Sequence, residues 1–157
     1  MANPANETVV YPFTSFNFAI EINVPGVSNK ICNAAFSDCD GLEMNMEVKT
    51  IREGGNNGRQ IRLSGPVNYG QLTLKRGMTA SFDLWNWFNQ VMTDPSLRAD
   101  AEVVLLTPDG KDERARFILS RCVPIKLKAP PMNAKDGQVA IEELQLAYES
   151  LTFKEPS

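Results

Sequence analysis

The sequence predicts a mainly β protein of many strands and one helix, fitting a barrel or sandwich. Long segments alternate apolar and polar residues with period two. A single segment carries apolar residues at helical spacing instead, and glycine, proline, asparagine and aspartate cluster between the segments. With 157 residues the chain is long enough to bury a sizeable core as one domain over 1–157, in which polar residues 1–10 form a loose N-terminal segment.

The elements follow in order. In "FNFAIEINV", Phe16, Phe18, Ile20, Ile22 and Val24 share one face and Asn17, Ala19, Glu21 and Asn23 the other, which predicts a strand buried on one side. "VPGVSN" reads as a turn. "LEMNMEVKT" alternates again, Leu42, Met44, Met46 and Val48 against Glu43, Asn45, Glu47 and Lys49, and runs into the glycine-rich "REGGNNGR". "RQIRL" and "QLTLKR" are shorter strands separated by "SGPVNYG". In "SFDLWNWFNQVMTDP" the spacing predicts a helix with Leu84, Trp85, Phe88, Val91 and Met92 on its apolar face and Trp87 on the flank. Ser81 or Thr79 is placed to cap its start, and Asp94-Pro95 stops it. "EVVLL", "RARFILS" and "CVPIKL" read as further strands. In "QVAIEELQLAYESL" the parity breaks at Glu142-Glu143, and a β-bulge there would bring Val139 and Ile141 onto the side of Leu144, Leu146 and Tyr148.

Composition narrows the function. A formal net charge of -3 argues against non-specific nucleic-acid binding, which needs a basic face. No apolar run is long enough to span a bilayer and no secretory signal stands at the N-terminus, so synthesis in the cytoplasm without a membrane anchor is expected. The three cysteines, Cys32, Cys39 and Cys122, have no metal-like spacing and read as reduced thiols. Histidine is absent, which removes the commonest general base and metal ligand and every Ser-His-Asp or Cys-His arrangement.

The remaining candidates are weak. Asp38, Asp40 and Glu43 lack the third acidic position and loop length of an EF-hand. Glu142 and Glu143 either point to opposite faces of a regular strand or flank a bulge, neither of which is glycosidase geometry. "REGGNNGR" ends in no Gly-Lys-Ser/Thr and contains no G-x-G-x-x-G, so it matches no phosphate loop. It reads as a hairpin tip or as a contact between copies of the chain. No catalytic, cofactor or metal residue is expected, and the chain is not expected to be an enzyme.

Four segments together resemble the T4-like phage tail tube family, which includes inner-tube proteins of phage-tail-like contractile injection systems. They are "YPFTSFNFAIEI" at 11–22, "FSDCDGLEMNMEVKTIREGGNNG" at 36–58, "YGQLTLKRGMTASFDLWNWFNQV" at 69–91 and "NAKDGQVAIEELQLAYESL" at 133–151. The resemblance implies two packed antiparallel sheets with a flanking helix, and subunits whose strands form a continuous barrel in a hexameric ring. Rings stack into a tube inside a contractile sheath, with baseplate, tube-initiator and terminator proteins as further partners and a protein effector or phage DNA as lumenal cargo. The particle is a virion tail or an injection device. A tube-initiator paralogue and a soluble monomeric β-fold binding module are the alternatives; an initiator usually needs added surface for asymmetric contacts, and the short chain favours the bulk tube.

On that resemblance, roles are expected for particular residues. Arg52, Glu53, Gly54, Gly55, Asn56, Asn57, Gly58 and Arg59 form a joint between stacked rings. Glu43, Asn45, Glu47 and Lys49 line the lumen, and the opposite face of their strand packs on the second sheet. Leu84, Trp85 and Phe88 form the helix core, while Asn86 and Trp87 lie nearer a neighbouring subunit or the sheath.

Overall fold

A computed structural model describes residues 17–26, 36–52, 54–55, 58–135 and 137–156. The loose segment expected at 1–10, together with Phe16, Cys32, Glu53, Asn56 and Asn57, lies outside the described residues. The strands are β1 (Asn17–Asn23), β2 (Asp38–Asp40), β3 (Met44–Arg52), β4 (Gln60–Tyr69), β5 (Gln71–Gly77), β6 (Ala99–Leu106), β7 (Glu113–Lys128), β8 (Ile141–Ala147) and β9 (Ser150–Lys154), with α1 (Asp83–Thr93) between β5 and β6.

All pairings are antiparallel, and β7 organises them. Its first part pairs with β6 on one edge and β9 on the other, and its last residues, Val123–Lys128, pair with β8. The sequence suggested two strands divided near Arg121. The chain instead runs through as one strand and bends there, with Arg121 in the left-handed region at φ 53. β8 and β9 lie along the same edge of β7, interrupted at Tyr148-Glu149 across from that bend. The path is thus β1-β6-β7-β8-β5-β2, with β9 also on β7. A strand that belongs to two pairings and bends between them makes a corner.

One apolar cluster fills the space that the strands and helix enclose. It takes Ile20 and Ile22 from β1, Leu72 and Leu74 from β5, Leu84 and Trp87 from α1, Val103 from β6, Leu119 from β7 and Leu144 and Leu146 from β8. Burying each such side chain stabilises the fold by about 1.5–3 kcal/mol. The alternation in β1 sets this up directly, since Ile20, Ile22 and Val24 are buried and Phe18 packs against them. The described strands do not close into a barrel within the chain.

Three local expectations are corrected. "SGPVNYG" is no separator: most of it lies in β4, and Gly65 and Pro66 fall at a register shift between Met46 and Val48, where a bulge tolerates proline. Neither Ser81 nor Thr79 caps α1. Phe82 holds the N-cap position without a side-chain bond, and Asp83 Oδ1 accepts from the Leu84 N–H at 2.9 Å. No bulge occurs at Glu142-Glu143. The register between β5 and β8 is continuous, Ile141 and Val139 are exposed, and Glu142 is the residue in phase with Leu144 and Leu146.

Candidate assembly surface

β3 and β4 form a ribbon of their own, unpaired with the larger sheet. It leaves the body where Leu42 and Tyr69 still pack against the core. Alternation gives it two faces, which the register joins across the strands. One carries Met44, Met46 and Val48 beside Tyr69, Val67 and Ser64; the other carries Asn45, Glu47, Lys49 and Ile51 beside Asn68, Leu63 and Ile61.

The four residues expected at the lumen, Glu43, Asn45, Glu47 and Lys49, are therefore on one side and all exposed. Asn45 Nδ2 donates to Glu43 Oε1 at 3.3 Å, and Asn68 Nδ2 to Glu47 Oε1 at 3.2 Å. The expectation for the other side fails within the chain. Met44, Met46 and Val48 are 58%, 56% and 58% exposed and meet no second sheet, because the ribbon projects away from the body. The apolar character also changes face along the ribbon: Met44, Met46 and Val67 near the root are on one side, Ile51, Ile61 and Leu63 near the tip on the other.

Gly54, Gly55 and Gly58 stand between β3 and β4, at the ribbon's tip. Gly55 adopts φ +93, where a side chain would be strained, and Gly54, Gly55 and Gly58 have open space around them. Arg52 and Arg59 are exposed beside it. A second uncovered apolar surface lies at the far end of β5, a groove of about 770 Å³ lined by Met78, Pro130, Met132, Val139 and Ile141 among others.

The helix assignments need one correction. Leu84 is buried and Trp85 and Phe88 are half-buried, whereas Trp87, assigned to a subunit or sheath contact, is 0% exposed and part of the core. Two apolar arcs, 84-87-88-91 and 84-85-88-92, fit helical spacing in this segment. The sheet takes the first and leaves Met92 exposed. Asn86 is exposed.

Sequence reading missed the polar group at the helix start. Arg76 and Glu142, each 1% exposed, meet with Nε 2.5 Å from Oε1. Arg76 Nη2 also lies 2.6 Å from Asp83 Oδ1, and Trp85 Nε1 donates to Glu142 Oε2 at 3.1 Å. The signal was present: Arg76 continues the phase of Leu72 and Leu74, Glu142 that of Leu144 and Leu146, and the two are direct cross-strand partners.

Little in the described residues suggests reactive chemistry. Burial, with Asp40 adding repulsion, pushes the Cys39 thiol up to about 11, and burial with Asp100 pushes Cys122 up to about 12. Among the described residues no three His, Cys, Asp or Glu side chains gather as a metal site, and no helix is long and apolar enough to cross a membrane.

A mainly antiparallel fold with a projecting, two-faced ribbon defines a protein shaped for contact. The chain belongs to the T4-like virus tail tube protein gp19 family, matched over residues 14–152, and is a structural tube subunit. A chain in the cryo-EM structure of the anti-feeding prophage baseplate is 27% identical, with TM-score 0.81 and coverage of 94% of this chain and 98% of that one. A chain in the tube-terminating cap of the same particle is 20% identical, with TM-score 0.78 and 99% of both chains covered. The PVC sheath-tube complex, an extracellular contractile injection system in its extended state, has a chain 18% identical, with TM-score 0.75 and 99% of both chains covered. No curated protein matches the sequence.

Proposed function

We propose that the chain, acting as one unit, closes into hexameric rings that stack into the hollow inner tube of a contractile particle, a phage tail or an injection system. Protein effector or DNA passes through the lumen. The observation that carries this reading is the uncovered ribbon. A two-stranded ribbon is at best marginally stable alone in water, yet β3 and β4 expose Met44, Met46, Val48, Leu63 and Val67. Neighbouring copies would cover those side chains, and a barrel closed across subunits would give the ribbon's free edges partners. Glu43, Asn45, Glu47 and Lys49, which share the polar side, then line the lumen with mixed charge that lets cargo pass without adhering.

Sheath, baseplate and terminator proteins are the further partners, a reading supported by the assemblies in which the similar chains were solved. The subunit is made in the cytoplasm and works within the particle.

The ribbon tip is the joint between rings. Arg52, Glu53 and Arg59 make polar contacts, and Gly54, Gly55, Asn56, Asn57 and Gly58 let the backbone adapt. Ordering such a loop costs about 1–2 kcal/mol per residue fixed, which several copies acting together at each junction offset. Deleting Gly54–Gly58 tests the joint. Rings on size-exclusion chromatography without long tubes in electron micrographs support it, and normal tubes contradict it.

A further inference from the structure

We propose that Tyr148 is a positioning residue for assembly: its hydroxyl sets the angle at which the β3–β4 ribbon leaves the body. This rests on the ring-and-tube reading. Tyr148 sits just after β8 and is 6% exposed. Its hydroxyl donates to the Gly41 carbonyl at 2.7 Å and accepts from the Glu43 N–H at 3.2 Å, with the Glu43 carbonyl also 3.2 Å away. Its ring meets Tyr69, the last residue of β4, with centroids 5.8 Å apart at 55°. One side chain thus touches the roots of both ribbon strands.

The backbone around it is built for close approach. Gly41 adopts φ +107, and a Cβ there would lie 1.9 Å from the Gln71 carbonyl oxygen. A Cβ on Gly70 would lie 2.6 Å from Glu43 Cγ, and the Gly70 N–H donates to the Glu43 carbonyl at 3.2 Å. Glycines make the approach sterically feasible, but they do not fix an angle. β2 ends its ladder with β5 at Asp40, and the ribbon forms no ladder with the larger sheet. Among the described residues, the side-chain hydrogen bonds between the ribbon root and the rest of the fold converge on Tyr148.

Leverage makes this matter. A strand as long as β3 spans about 30 Å at ~3.3 Å per residue, so a swing of about 10° at the root displaces the tip by about 5 Å. Such a displacement exceeds a hydrogen-bond length and would misalign the ribbon with a second copy of the chain. The hydroxyl is therefore worth more to assembly than to folding.

Tyr148→Phe keeps the ring against Tyr69 and removes only the hydroxyl. In the full chain it should melt within a few degrees of wild type. Hydrogen exchange in the peptide covering Gly41–Met44, measured below the assembly concentration, should rise at least tenfold. The concentration needed for tubes, read by light scattering and electron microscopy, should rise at least tenfold as well. Tyr69→Phe is the control and should assemble like wild type. Tyr148→Phe tubes at the wild-type concentration would overturn the proposal, as would unchanged exchange, a large loss of melting temperature, or an equal defect in Tyr69→Phe. A wild-type protein that never forms rings defeats the tube reading itself, and the proposal with it.

Discussion

Arg76 and Glu142 stand directly opposite each other on β5 and β8, both withdrawn from solvent, with Nε 2.5 Å from Oε1. Asp83 adds the first turn of α1 to the pair, Trp85 reaches the same carboxylate, and the guanidinium lies 5.7 Å from the Phe36 ring centroid. The group ties two strands and the helix start into one geometry.

Removing Glu142 leaves the buried Arg76 guanidinium with Asp83, the more exposed of its two carboxylates. Glu142→Leu should destabilise the fold by about 3–5 kcal/mol, because Arg76 keeps its charge in a buried place. Arg76→Met with Glu142→Leu should recover most of that loss, since an apolar pair of similar volume suits the site. Urea midpoints of the two variants decide it, and a double variant no more stable than the single one contradicts the pairing argument.

The strands that bury one face were legible because alternation and burial coincide, as in Ile20, Ile22 and Val24. Glu142 shows where that reasoning stopped. A carboxylate at the phase of Leu144 and Leu146 reads as a parity break within one strand, whereas its cationic partner, Arg76, stands at the matching phase of β5. Trp87 was misplaced because "LWNWF" offers two apolar arcs, and only the position of the sheet selects between them. The two-sided exposure of β3 was not legible at all, for alternation reports that two faces differ and not whether the same chain covers either.

Trp87 and Phe88 should exchange the ranks that helical spacing first gave them. Trp87→Ala should cost about 3–5 kcal/mol through a core cavity. Phe88→Ala, at a half-buried position, should cost about 1–2 kcal/mol. Denaturant unfolding of both variants checks the order, and a Phe88 variant weaker than the Trp87 variant would reverse it.

Glycine should be required at Gly41 and dispensable at Gly54. A side chain at Gly41 meets both a positive φ and the Gln71 carbonyl, while Gly54 has nothing within 4 Å. Gly41→Ala should destabilise by more than about 2 kcal/mol and Gly54→Ala by under about 0.5 kcal/mol. Thermal melts of the two proteins give the comparison.

Cys39 and Cys122 should resist alkylation in the folded protein. With the Cys39 thiol pushed up to about 11, only about one part in a thousand is thiolate at pH 8, and Cys122 stands higher still. Lowering the pH reduces that fraction further, so labelling should rise only toward pH 11 or on unfolding. Peptide mapping after iodoacetamide treatment at pH 8 measures this, and rapid modification of either residue would refute the burial argument.

The central claim is that the ribbon exists to be covered by other copies of the same chain. Electron microscopy of the purified wild-type protein, with light scattering on the same sample, tests it most directly. The account predicts rings of six subunits and stacked hollow tubes, both lost when Met46→Glu places charge on the ribbon's apolar face. A wild-type protein that stays a monodisperse monomer at every concentration, with no rings on the grid, would contradict it.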